Sequence, residues 1–476
     1  MTTTDLTTAT TGEAVDLYDP DSYAAGPPHA AFAALRRAAP IHWQPVAAGP
    51  AAPGYWAVLG YAAVDAVLCA PELFSSERGG VVIDDLPPDR LAQMRNMLLA
   101  MDPPRHRDYR RPLAHRFTHR AIALLEDRVR AATRAIMSET VERGAAGATV
   151  EFVGEVAGQL PTRVVGELMG LPPADWDYVH GLAQLLNRGQ DDDYGAAATD
   201  ATSSESTVPA VPAPAAPEPG GPPPRPPPGG LGRYPARVAP RPPAGPPPPP
   251  HPPRPPPPRR PPTVEMALYA AGFAARRRTE PPSEDLTSLL LAGDFGGRTM
   301  SDLDYGSFFV QLVTAGNDTT QTMLSAGLSA LLDHPDQLAA LRADRALIPG
   351  AVEEILRWAN PLHHFRRTAL ADTELAGRQI RAGDRLATYF TAANRDEAVF
   401  DNPDAFDIGR SPNRHLSFGK GEHFCLGAHL ARLEGRVFFE ELLTAFRGIE
   451  RAGAPVRVRS NLNNAFKSLP VRLTPA

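Results

Sequence analysis

Cys425 is the residue of this chain best placed to do chemistry. It sits in Phe418-Gly419-Lys420-Gly421-Glu422-His423-Phe424-Cys425-Leu426-Gly427, between a glycine-rich turn and a helix expected from Ala428 onward. The free N–H groups of a helix N-terminus favour a thiolate over a thiol. Gly419, Gly421 and Gly427 let the backbone approach something large and flat. A thiolate held this way suits a soft ligand for haem iron, pushing electron density toward O–O cleavage. A second chemical group lies behind the apolar run Phe308–Val313, in Ala315-Gly316-Asn317-Asp318-Thr319-Thr320. A glycine and two threonines in mid-helix cost a few tenths to about 1 kcal/mol each. The Thr319 hydroxyl can take a backbone carbonyl and open the helix ladder. A widened turn there leaves room for dioxygen and water, and Asp318 can pass protons inward.

The Cys425 loop resembles the haem-binding loop of the cytochromes P-450, Phe-Gly-x-Gly-x-(His/Arg)-x-Cys-x-Gly. Further stretches match that family in order. Ala315–Thr320 resembles its distal helix on the oxygen side of haem. Glu354-Ile355-Leu356-Arg357 is similar to its Glu-x-x-Arg, with both side chains on one helix face. In the family that Arg is joined by a residue of the stretch here spanning Phe406–Arg410. Asp102–Arg111 looks like the segment whose His-x-x-x-Arg reaches a haem propionate, which assigns His106 and Arg110. Arg366-Arg367-Thr368-Ala369 resembles a strand whose Arg, here Arg367, binds a propionate, and His423 completes the set. The planar fork of Arg meets a carboxylate bidentately.

The resemblance implies a mainly α fold with small β-sheets, one large haem-binding domain. It implies haem b (iron protoporphyrin IX) with Cys425 as axial ligand and Phe418, Gly419 and Gly427 around it. Asp318 and Thr319 would be catalytic: Thr319 holds oxygen and a proton-donating water, and Asp318 relays protons. Glu354 and Arg357 would be structural. The implied reaction is monooxygenation of an apolar small molecule by O2, with electrons from a ferredoxin and its NAD(P)H-dependent reductase. Lys420, Arg107, Arg111 and Arg432 are a candidate basic docking patch for that partner. His364–Ala369, Ala393–Glu397 and Arg459–Leu473 look like members acting on steroid side chains, branched lipids or terpenes. Val82, Leu312, Gly316, Leu362 and His364 are candidate pocket liners. Two other readings stay open here. One is a haem-thiolate enzyme that uses peroxide or does not hydroxylate. The other is a degenerate haem domain whose Pro-rich segment recruits partners.

The elements that must position these residues are legible as helices. Patterns predict helices over His115–Arg143, Glu151–Met169, Val264–Arg278, Ser301–Leu332, Pro349–Trp358 and Ala428–Phe446. Short strands are expected at Ile41–Trp43, Tyr55–Leu59, Thr373–Leu375, Gln379–Ile380, Leu386–Phe390, Val456–Arg459 and Val471–Leu473. Of 54 prolines, 28 fall between Pro209 and Pro262, with seven Arg and one acid. That stretch has too little apolar surface to fold, so 197–262 reads as a disordered or polyproline-II insertion between two lid helices. The domain is then 19–196 and 263–476, after a flexible 1–18. Two cysteines exclude a disulfide framework. A net charge of −6 gives no reason to expect nucleic acid. No apolar run is long enough to span a membrane and no signal peptide is evident, so a soluble cytoplasmic protein is expected.

Overall fold

The computed structural model describes residues 15–143, 149–187, 191 and 262–476. The insertion expected over 197–262 lies outside the described residues, apart from Pro262. That proline is the first residue of a helix, where its missing N–H costs nothing. Of the stretch read as a loose N-terminus, residues 15–18 are described. Leu17 is buried, and Tyr18 Oη donates to Asp84 at 2.8 Å.

The helices that matter for the site are α1 (Tyr61–Cys69), α2 (Arg105–Ala114), α3 (Gln159–Met169), α4 (Trp176–Asn187), α5 (Pro262–Arg277), α6 (Asp302–Asp333), α7 (Ile348–Ala359) and α8 (Ala428–Ala445). The 32-residue α6 is the axis of the molecule. Ser301 starts it with a capping box: its Oγ accepts from the Asp304 N–H, and the Asp304 carboxylate accepts from the Ser301 N–H. Asp302 and Asp304 sit in the first turn, where acids suit the helix dipole. α6 packs against α3, α4, α5, α7 and α8 and is buried along most of its length. That explains why it is apolar nearly all round rather than striped.

A five-stranded sheet flanks this bundle: β1 (Ile41–Pro45), β2 (Gly54–Val58), β3 (Phe74–Ser75), β4 (His364–Ala369) and β5 (Arg385–Tyr389). Its order is β1-β2-β5-β4-β3, antiparallel except for the β2–β5 pair. In β4, Phe365 lies opposite Thr388 and Arg367 opposite Leu386. Two small antiparallel ladders and a three-stranded sheet complete the β structure of the described residues. Among those residues no helix is long and apolar enough to cross a membrane.

The Glu-x-x-Arg pair locks α7 to the segment before the cysteine loop. Arg357 donates from Nε and Nη2 to Glu354 at 2.8 and 2.7 Å, with both side chains fully buried. Arg357 also donates to the carbonyls of Asn394, Pro403 and Ala405. The third member differs from expectation. Arg410 joins the glutamate, not the arginine, with Nε 3.2 Å from Glu354. The Asp407 N–H and the Asn413 amide donate to the same carboxylate. Two cations and two neutral donors around one carboxylate offset its loss of water.

Candidate active site

The cysteine loop is closed by its own backbone. The Cys425 N–H donates to Phe418 O at 2.9 Å, and the Gly419 N–H to Leu416 O at 2.8 Å. Gly419 and Gly421 have φ of +66° and +68°, in the left-handed region that disfavours side chains. A Cβ on Gly421 would also stand 2.5 Å from Leu68 O at the end of α1. Nothing lies within 4 Å of a Cβ built on Gly427, so the space above that residue is open. Cys425 comes just before α8, whose N-cap is Gly427. Its thiol is exposed, but to an interior cavity with protein on nearly every side. Burial pushes the thiol up, against the pull of the Gly427 N–H, Arg110 and Arg432. Phe418 lines the same cavity and carries the Arg432 guanidinium over its ring at 4.5 Å.

That cavity, of about 280 Å³, runs from the cysteine loop to α6 and is mostly apolar. One edge is not. Arg110, Arg367, His106 and His423 come to it from α2, β4 and the cysteine loop. The His106 and His423 rings are 4.4 Å apart. Burial, with Arg367, His106 and Arg110 beside it, pushes His423 down to about 2. Burial and Arg110 push His106 down to about 4. Both imidazoles are therefore neutral near pH 7. The 3.8 Å contact of His106 Nδ1 with Glu422 is then not an ion pair, and that nitrogen has no hydrogen bond among the described residues. Burial pulls Arg367 down to about 10; its Nη1 donates only to Arg366 O, at 2.8 Å. Arg110 Nη2 donates to Phe424 O at 2.5 Å. Two guanidinium groups and two imidazoles thus converge on one edge of the cavity; the nearby Glu422 carboxylate pairs with Arg107, and neither Arg110 nor Arg367 forms an ion pair among the described residues. A flat, apolar group with two carboxylates at one edge and a metal that takes sulfur satisfies that edge, the cavity walls and Cys425 together. Haem b has that chemistry, and the residues present fit it.

The opposite wall is α6. Leu312, Gly316 and Thr319 line the cavity, and Ala315 is exposed to it in the middle of a buried helix. Thr319 Oγ1 donates to Ala315 O at 2.6 Å, as its position predicts. The helix nevertheless runs unbroken from Asp302 to Asp333, so the expected widened turn is not seen. Asp318 is buried and points off the cavity-lining face. Gly316 serves packing as well as space: a Cβ there would meet Val165 of α3 at 2.7 Å.

Two expected pocket residues lie elsewhere. His364 packs its ring on Tyr389, centroids 4.9 Å apart, and is fully buried outside the cavity. Strand alternation is the reason: Phe365 and Arg367 face the cavity, so His364 and Arg366 face away. Arg366 instead donates to Ile83 O at 3.1 Å and to Asp85 at 2.9 Å. Val82 belongs to that loop and does not reach the cavity. Leu362 does line it. Sequence reading missed Phe365, Gln311 and Glu434, all of which do. A period-two reading from Arg367 would have found Phe365. The expected basic patch is largely neutralised: Lys420 pairs with Asp65, Arg107 with Glu422 and Arg432 with Glu353.

Comparison with known proteins agrees with this geometry. Residues 272–462 match the family model for cytochrome P450. A cytochrome P450 126 of Mycobacterium tuberculosis is 35% identical over 98% of this chain and 99% of its own. A steroid C26-monooxygenase of Rhodococcus jostii is 32% identical over 96% of this chain and 84% of its own. A Mycobacterium marinum cytochrome P450, solved with pseudoionone, superposes with a TM-score of 0.78 at 33% identity, covering 97% of this chain and 99% of its own. With a cysteine loop, a donor-lined edge and an apolar distal wall in the arrangement described above, the chain belongs to the cytochrome P450 family, as a monooxygenase whose cofactor is haem b.

Proposed function

We propose that this cytochrome P450 hydroxylates an apolar small molecule (a steroid, branched lipid, terpene or related secondary metabolite) with electrons from a ferredoxin and its NAD(P)H-dependent reductase. The facing of Cys425 and Thr319 across one apolar cavity carries the reading. When bound, haem supplies the activation of dioxygen, so that R–H, O2, two electrons and two protons become R–OH and water. Cys425 Sγ would hold the haem iron, and the Gly427 N–H would steady its negative charge. Arg110, Arg367, His106 and His423 take the two propionates. The Thr319 hydroxyl, which donates to Ala315 O, turns to hold a proton-donating water. Asp318, one residue earlier on α6, relays protons to it. Leu312, Leu362 and Phe365 hold the substrate and exclude bulk water. Relatives named as a steroid C26-monooxygenase, a methyl-branched lipid omega-hydroxylase and a cytochrome P450-terp support the substrate range.

The test is the absorption spectrum of purified protein reduced with dithionite under carbon monoxide. A strongly red-shifted Soret band is expected, and Cys425→Ser should abolish the shift. Survival of the shifted band in that variant would sink the ligand assignment. Substrate hydroxylation that stays at full rate without ferredoxin would sink the electron route.

A further inference from the structure

The distal wall carries a polar side chain, Gln311, that the reading above leaves without a task. Gln311 lies on α6, and Gln311, Ala315 and Thr319 follow at i, i+4 and i+8, on one helix face. All three line the cavity. Leu98, Leu99, Leu168, Phe308 and Leu312 also line this cavity, and none of their side chains offers a hydrogen bond. Its Oε1 is buried and has no hydrogen-bond partner among the described residues. Its amide donates to none of them either. One turn on, Thr314 Oγ1 is also buried and without a hydrogen bond among the described residues. A primary amide brings two donors and an acceptor, and native proteins seldom bury one unmet. Leucine would fill such a wall at no polar cost.

Building on the proposed hydroxylation, we infer that Gln311 is a specificity residue that grips the one polar group of the substrate. Eight residues of helix separate it from Thr319, an axial distance of about 12 Å. The substrate class narrows accordingly. It is an apolar molecule with a hydroxyl or carbonyl group held at Gln311, and the oxidised carbon lies about 12 Å from that group. Binding energy at the polar end then chooses which carbon is presented for oxidation.

Matched pairs test this on the haem-loaded enzyme. Alcohols and ketones are compared with their parent hydrocarbons on linear, branched and steroid skeletons, with dodecan-1-ol and dodecane as the simplest pair. Dissociation constants are read from the spin-state shift and from calorimetry. In at least one skeleton the polar member should bind about tenfold more tightly than its hydrocarbon. Gln311→Leu should erase that preference while leaving hydrocarbon affinity equal or improved. Should the Leu variant fail to fold, the nearly isosteric Gln311→Met carries the same expectation. In the product, the new hydroxyl should lie about 12 Å from the original polar group. A preference that survives both substitutions overturns the assignment. So does the absence of any polar preference, or of binding by every polar member, in an enzyme that shows the red-shifted carbon monoxide band. Loss of that band in the unmodified protein would instead mean that the haem-thiolate reading itself has failed.

Discussion

Glu434 shows how much one side chain can set. It sits on α8, nine residues after Cys425, on the face that also brings Leu430 and Ala431 to the cavity. It is 1% exposed, its Oε2 has no hydrogen bond among the described residues, and burial alone pushes its carboxyl up to about 8. In the unfolded chain the group ionises near the ordinary glutamate value. Between roughly pH 4.5 and 8 the folded protein therefore keeps a proton that the unfolded chain releases. Stability must fall as pH rises through that window. Glu434→Gln keeps the shape and removes the titration. The variant should match the parent near pH 4.5 and exceed it by a few kcal/mol at pH 8. Urea unfolding of both proteins at the two pH values checks this, and parallel pH profiles would refute it. Nothing in the sequence marks Glu434 as special, because a glutamate in an amphipathic helix ordinarily faces water. Cys425 was legible for the opposite reason: its glycines and helix start appear at fixed spacing in one short stretch.

At the scale of elements, the i, i+3 pair Glu354–Arg357 is visible in the sequence, but its neighbours are not. Arg410 reaches Glu354 across 56 residues, a tertiary contact that no local pattern encodes. The strand β4 was marked only by the family resemblance of Arg366–Ala369, not by its own pattern. It is buried on both faces and reads His-Phe-Arg-Arg-Thr-Ala, with none of the apolar alternation that marks a half-buried strand. That is why His364, one residue out of phase, was expected in the pocket. The helices α5, α6, α7 and α8 were legible because caps and periodicity are local. The stretches expected as single helices over His115–Arg143 and Glu151–Met169 are instead divided: Glu126–Arg143 follows two short turns, and α3 follows a strand at Thr149–Glu151 and a π-turn at Val153–Ala157. The two arginines on Glu354 should differ in weight. Arg357→Met removes two bonds to the carboxylate and three to backbone carbonyls, all in a fully buried place. It should cost about 3–5 kcal/mol, since it leaves a buried charge short of partners. Arg410→Met should cost less, because most of its bonds to Asp401, Asn402 and Ala405 lie at the surface. Denaturant unfolding and haem content of the two variants rank them, and equal losses would contradict the burial argument.

The whole molecule builds its cavity from parts far apart in the chain: α2, α6, β4 and the cysteine loop. None of these depends on the connection between α4 and α5. Those two helices are held together directly, by Tyr178 Oη donating to Glu265 at 2.6 Å, and Tyr269 Oη of α5 donates at 2.7 Å to Asp175, the residue just before α4. Both also pack on α6. The composition of residues 197–261 offers little apolar surface to bury, and closing a connection costs free energy that grows only with the logarithm of its length. Replacing 197–261 by six Gly and Ser residues should therefore leave the red-shifted carbon monoxide band intact. Stability should rise by about 1–2 kcal/mol from the shorter closure. Because Tyr269 and Phe273 of α5 pack on Phe309, two residues from Gln311 on α6, substrate affinity is the property most open to change. Haem content and unfolding free energy are to be measured on the shortened and full chains together. Loss of haem from the shortened chain would mean that the segment contributes to the fold, despite a composition that gives it no core of its own.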